Sequence, residues 1–289
     1  MAMERQHSWG WQVVIDVFLG GIGAGLFLVS FLMDQIYGPT SLTNAGSIVG
    51  PLLVLGGIFF LLVEVGRPLN APMAFLNYAT SWMSRGVILQ PILIGLGLLY
   101  ALLPYGFTDF KTSAAGIIIG SLAALLAVLV GIYHGVLFSQ ARGIALWNNP
   151  LLPMLYFVSA LAGGAGVLLL ISPIFDMSVI LSQLRALVTV ELVLLCLVLV
   201  SMWLMAAVRP TRTYRESLKR LMTPNFVGVS LFLGNGVPLV LLIISLFLVG
   251  TTAHSVLLPI TGALVLMGTY HLRHAIVHAG HYYSLEISL

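Results

Sequence analysis

The sequence predicts an all-α integral membrane protein with eight transmembrane helices, and three observations carry that class. Hydrophobic residues make up 60% of the chain and charged residues 7%, whereas soluble domains carry about 25% charged residues. The apolar residues fall into eight runs, each near the roughly 20 residues a helix needs to cross hydrocarbon. The runs are continuous and show no two-residue alternation, which fits helices and not the strands of a closed barrel. The longest polar stretch is 209–224, so no soluble domain is inserted. The chain reads as a single membrane domain over 1–289, with possible four-helix units at 1–142 and 143–289.

The runs lie near 11–37, 47–66, 84–103, 113–139, 152–172, 184–208, 225–250 and 253–278. The first has no small-residue cleavage site behind a short apolar core, so it is read as a retained helix. The second ends at Gly66 and Pro68, residues that stop a helix. The third opens at Thr80-Ser81-Trp82-Met83-Ser84, whose hydroxyls suit a helix cap. Pro150 and Pro153 fix the entry angle of the fifth. An even number of spans puts both termini on one side, called side A. Side A carries Arg5, Arg67, Arg85, Arg142, Arg209, Arg212, Arg215, Lys219, Arg220 and Arg273, and side B carries Lys111 and Arg185. Basic loops stay in the cytoplasm, so side A is read as cytoplasmic. Anionic lipid bound at the basic loop would select the same side. A weak repeat is also visible. Asp34 and Asp176 close the first and fifth spans, and Arg67-Pro68 and Arg209-Pro210 follow the second and sixth, all at one offset. Tyr133-His134 and Tyr270-His271 recur at nearly the same offset.

Ionisable groups inside apolar helices are costly, about 2.5–3.5 kcal/mol at the bilayer centre, and therefore mark function. Asp16 lies about one turn into the first helix, with Gly20 and Gly23 on its face, so the carboxylate is expected to meet a close-packed neighbour. Gly21 and Gly25 extend that contact. Asp34 is read as marking the side-B end. Glu64 ends the second span at the depth of Asp16, with Arg67 placed to pair with either acid. Arg85 and Gln90 face the same half. Tyr133 and His134 end the fourth span and offer a phenolic donor beside a proton carrier. Trp147 and Asn148 sit in the rigid loop ahead of the fifth. Glu191 lies about two turns into the sixth span from side B, as a proton-path residue or a packing group. His271, His274, His278 and His281 share a helical face that suits a side-A surface. Only His134 and His271 could form a haem pair. Cys196 reads as a small buried hydrophobe, and a single thiol excludes an internal disulfide or a cysteine-ligated cluster.

These motifs together resemble the NrfD/PsrC family, the membrane subunits of polysulfide-reductase-like complexes. The resemblance rests on Phe18-Leu19-Gly20-Gly21-Ile22-Gly23-Ala24-Gly25, Glu64-Val65-Gly66-Arg67-Pro68, Ser81-Trp82-Met83-Ser84-Arg85-Gly86, and Tyr133-His134-Gly135 with Trp147-Asn148-Asn149-Pro150-Leu151-Leu152-Pro153. The tail Arg273-His274-Ala275-Ile276-Val277-His278-Ala279-Gly280 is similar too. It implies two four-helix bundles without haem or metal in this chain, set in a bacterial or archaeal cytoplasmic membrane. It implies exchange of electrons with menaquinone or another quinone, in anaerobic sulfur-compound respiration. The implied partners are a ferredoxin-like iron–sulfur subunit and, through it, a molybdopterin catalytic subunit, with membrane lipid around them and no nucleic acid. The implied quinone site joins the start of the first helix to the end of the fourth, here Asp16, Tyr133 and His134 with Trp147 and Asn148. Asp16 stands where some members carry histidine. Proton transfer is assigned to Asp16, Glu64, Arg67, Arg85 and Glu191. Two other classes stay open: a secondary transporter, which would place polar groups near the midplane, and a haem b cytochrome.

Overall fold

A computed structural model describes residues 3–5, 9–65, 81–141, 143–208 and 211–283. A short strand β1 (Met3–Arg5) precedes α1 (Trp11–Tyr37), α2 (Ser41–Val65), α3 (Trp82–Leu102), α4 (Ala114–Ser139), α5 (Leu152–Ile171) and α6 (Met177–Ala207). Then come the amphipathic α7 (Arg212–Leu221), the one-turn α8 (Pro224–Phe226), a π-helical segment Val227–Gly236, α9 (Val237–Phe247), α10 (Thr252–His278) and strand β2 (His281–Tyr283). Among the described residues eight spans are long and apolar enough to cross a membrane, with α8, the π-helical segment and α9 forming the seventh. β1 and β2 pair antiparallel, with Met3 opposite Tyr283, and so join the segment ahead of α1 to the one behind α10.

Two helices begin more than a turn before their apolar runs. α2 starts at Ser41 and α6 at Met177, because their first turns mix polar and apolar residues that hydropathy alone leaves out. Asp176 caps α6 by accepting from the Ser178 amide at 2.9 Å. The Ser178 hydroxyl, donating to the same oxygen at 2.7 Å, and then the amide hold the Asp176 carboxyl below the usual carboxylate range. The extra turns move Glu191. It lies 14 residues from Met177 and 16 from Ala207, so about 21 Å and 24 Å from the two ends of α6. The expected position two turns in from side B is corrected to mid-depth.

α1 and α5 occupy the centre. Their most apolar stretches are 83% and 72% buried, against 28–44% for the other spans. α1 packs on α2, α4, α5 and α10, and α5 also packs on α4, α6 and α10. The glycine run of α1 makes this possible, since helices in lipid associate by close packing of small residues. A side chain at Gly20 would meet His134 of α4, at Gly21 Arg273 of α10, at Gly23 the Gly50 carbonyl of α2, and at Gly25 the Ala160 carbonyl of α5. The spacing of these glycines suggests a single contact. They face four different neighbours.

Asp34 is more than an end marker. It is buried and accepts hydrogen bonds from Lys111 Nζ at 2.7 Å, from the Tyr100 hydroxyl at 3.0 Å and from Thr43 Oγ1. Thr40 Oγ1 donates to Gln183 Oε1 at 2.6 Å, and Gln183 Nε2 donates to the Gly38 carbonyl at 2.7 Å. One side-B network thus ties α1, α2, α3 and α6 to the short helical turn at Phe110–Thr112. Burial pushes the Lys111 ammonium pKa down, and the Asp34 charge pulls it back up. Asp176 sits exposed at the matching repeat position, so the two aspartates do different work. Cys196 is exposed on the outer face of α6 and is not the buried hydrophobe expected.

Candidate functional site

Asp16 lies five residues after the start of α1, about 8 Å along the helix. The residue is 4% exposed. On one side it meets α2 at Gly57, where a Cβ would come within 3.0 Å of Asp16 Oδ1. On the other side His134 Nε2 of α4 lies 3.9 Å from Asp16 Oδ2. His134 is fully buried because Gly20 leaves a notch. A Cβ there would stand 3.0 Å from His134 Cε1 and 3.9 Å from Gln90 Nε2. The same notch therefore brings the buried Gln90 of α3 to the pair. A carboxylate and an imidazole at this separation can exchange a proton through one water or through a bound substrate.

Tyr133 is next in sequence but serves another contact. Its ring fills the space left by Gly86 of α3 and lies edge-on to the His134 ring, with centroids 5.0 Å apart. The segment Ser81–Gly86 therefore has local tasks. Ser81 caps α3 by accepting from the Ser84 amide at 3.4 Å, the Arg85 guanidinium lies 4.2 Å from the Trp82 ring, and Gly86 admits the phenol.

The loop between α4 and α5 is fixed. Trp147 is buried, donates from Nε1 to the Ile276 carbonyl at 2.9 Å, and packs against Trp9 and Phe138. Asn148 is exposed, while its neighbour Asn149 is buried and donates to the Tyr214 hydroxyl at 2.8 Å. The structure thus brings together Asp16, Tyr133 and His134, and places Trp147 in the α10 contact and Asn148 at the surface. The Glu64 side chain and Arg67 lie outside the described residues. Glu191 sits far along α6, with no hydrogen-bond partner for either oxygen among the described residues.

Arg273 is not a surface cation of side A. It is 1% exposed, inside the membrane-spanning part of α10. Nη1 donates to the Val17 carbonyl of α1, and Nη2 lies 3.3 Å from both the Tyr156 carbonyl and Ser159 Oγ of α5. It fills the space at Gly21, next to the Gly20 notch that holds His134. The one signal in the sequence was spacing, since Arg273 continues the buried α10 positions Val265, Thr269 and Ile276. His271 bonds instead to Ser230 at 2.8 Å and stands beside Asn225, so it and His134 have separate surroundings.

The family model described as "Polysulphide reductase, NrfD" matches residues 1–283. The chain belongs to the NrfD family. This NrfD-family member is 31% identical over 186 residues to Protein NrfD of Escherichia coli, covering 56% of its own length and 58% of that protein. It is 27% identical over 187 residues to a polysulfide reductase chain of Wolinella succinogenes, covering 58% and 59%. It is also 27% identical over 156 residues to a sulfite dehydrogenase subunit of Allochromatium vinosum, covering 48% of each. The match spans about half to three-fifths of these relatives. NrfD membership and eight apolar spans make it a multi-pass membrane protein.

Proposed function

We propose that the chain is the quinone- or quinol-binding membrane anchor of a molybdopterin oxidoreductase complex, exchanging electrons between the quinone pool and an iron–sulfur partner. The observation that carries this reading is the buried Asp16–His134 pair, 3.9 Å apart, with Tyr133 and Gln90 around it at the start of α1. Two-electron quinone chemistry moves two protons, and a carboxylate with an adjoining imidazole and phenol can carry them. The relatives named for polysulfide reductase and sulfite dehydrogenase support a sulfur-compound complex. Menaquinone or another quinone is the substrate, and a ferredoxin-like subunit next to a molybdopterin subunit supplies or takes the electrons. Glu64, Arg67 and Arg85 are assigned to proton transfer at the side-A end, and Trp147 and Asn148 to quinone binding through the α4–α5 loop, which Trp147 holds against α10. Helix packing supports two four-helix units. In one α1, α2, α3 and α4 pack in sequence, and in the other α5, α6, α9 and α10 do so, with α1 against α5 between them. A transporter would keep its polar cluster at mid-depth, whereas this one lies within about 8 Å of the start of α1.

The test uses the intact complex and a soluble quinone analogue. Asp16→Asn, Tyr133→Phe and His134→Gln are each expected to lower quinone-linked turnover by about 10- to 1000-fold, the usual range for acid–base groups. Electron transfer from an artificial donor to the catalytic partner should persist. Near-normal quinone turnover in all three variants refutes the site.

A further inference from the structure

Beyond the side-A site, the second set of helices buries His254 and Glu191. His254, the third residue of α10, is 4% exposed, and neither ring nitrogen has a hydrogen-bond partner among the described residues. It lines a cavity of about 200 Å³ at the side-B ends of α6 and α10, together with Leu181, Leu184, Thr251 and Ser255. Glu191 is fully buried, also without a hydrogen-bond partner among the described residues. It lies seven residues beyond Leu184 on the same buried face of α6, about 10 Å deeper.

Unpartnered buried polar groups are costly, and water is their usual remedy. A water occupies about 30 Å³ of liquid, so the cavity has room for several. Other buried polar groups belong to the side-B halves of the neighbouring helices. Ser172, Ser245 and Thr261 are buried, and each hydroxyl donates back to a carbonyl of its own helix, which leaves its oxygen able to accept from water. α5, α6, α9 and α10 close around this region. The π-helical segment, with buried Asn235, leads into α9 and packs on α6 and α10. π-helical turns are frequent at functional sites.

We infer that this is a water-filled proton entry from side B, with His254 as the exchanging group at its mouth and Glu191 as its terminus at mid-depth. A proton passes from bulk water to a ring nitrogen of His254. It then leaves that nitrogen through the hydrated cavity as far as Leu184, and along further water over the remaining stretch of about 10 Å to a Glu191 oxygen, with no change of redox state. The inference deepens the proton-transfer role assigned to Glu191 and does not depend on the quinone site.

The experiment is infrared spectroscopy of the complex in lipid vesicles during transfer from H₂O to D₂O. The carboxylic acid band lost in Glu191→Gln identifies protonated Glu191. In the unaltered protein this band shifts at the limit of mixing. His254→Leu is expected to slow the shift at least tenfold, and Leu184→Phe, which fills the cavity and leaves the imidazole, to slow it as well. Asp16→Asn should leave exchange unchanged while quinone turnover falls, so failure of the quinone reading and failure of this one are separable. Exchange at the unaltered rate in both His254→Leu and Leu184→Phe overturns the inference, as does a Glu191→Gln spectrum with no lost acid band.

Discussion

Arg273 is a cation in the membrane whose partners are neutral oxygens. The carbonyls of Val17 and Tyr156 and the hydroxyl of Ser159 hold it, and the Tyr156 ring lies 5.3 Å from its guanidinium. It therefore joins α1, α5 and α10 directly behind Asp16 and His134, and its fixed positive charge favours a negative charge in the site. Arg273→Met is expected to leave acceptors bare, at about 1–3 kcal/mol for each one left unsatisfied. It should lower both the unfolding temperature of the purified complex and quinone turnover. Arg273→Lys, a point charge without the planar fork, should recover part of the turnover. Equal stability and turnover in Arg273→Met would reduce this residue to a bystander. At this scale the sequence was legible where a polar residue interrupts an apolar run near one end, as at Asp16 and His134. It was illegible at Arg273, whose position near the basic side-A segments hides a place on the buried face of α10.

The elements follow hydropathy closely in their centres and depart from it at their ends. Starts at Ser41 and Met177 come from polar first turns, and the π-helical segment Val227–Gly236 has no hydropathic mark. The glycine run of α1 was recognisable as a close-packing motif. Its division among four neighbours was not, because partners such as Ala160 and Arg273 are remote in sequence. The Asp34 network was hidden for the same reason: Tyr100 and Lys111 are 66 and 77 residues away. That network is the testable joint between elements. Asp34→Asn leaves a buried ammonium without its counter-charge, and breaking a buried pair from one side costs about 3–5 kcal/mol. The unfolding midpoint of Asp34→Asn should drop accordingly. The double variant Asp34→Asn with Lys111→Met, which removes both charges and keeps an acceptor for Tyr100 and Thr43, should regain most of the loss. If the double variant is less stable than Asp34→Asn, the ion pair is not the source of the effect.

At the scale of the whole molecule, the two ends of the bundle differ in charge, and the structure sharpens the difference. Arg273 leaves the side-A tally because it lies inside the membrane, and Lys111 leaves the side-B tally because it is buried against Asp34. The exposed cations that remain include Arg212, Arg215, Lys219 and Arg220 of α7. That helix buries Tyr214, Leu218 and Leu221 and touches β2, which pairs with β1. α7, the paired strands and the Asp16 end of α1 therefore share one face. Basic segments near span ends are retained in the cytoplasm, so we propose that this face, with both termini and the docking surface for the iron–sulfur partner, is cytoplasmic. Labelling with a membrane-impermeant thiol reagent checks it, in a background where Cys196, exposed on α6, is replaced by alanine. Ser217 is a poor probe because α7 buries it completely. Lys219, with its side chain 75% exposed, and Thr112, exposed on the opposite face, are suitable. In intact cells Thr112→Cys should react and Lys219→Cys should react only after the membrane is opened. The reverse pattern would put the quinone site and its partner on the outer face. Quinone protons would then be exchanged outside the cell membrane, and His254 would open to the cytoplasm.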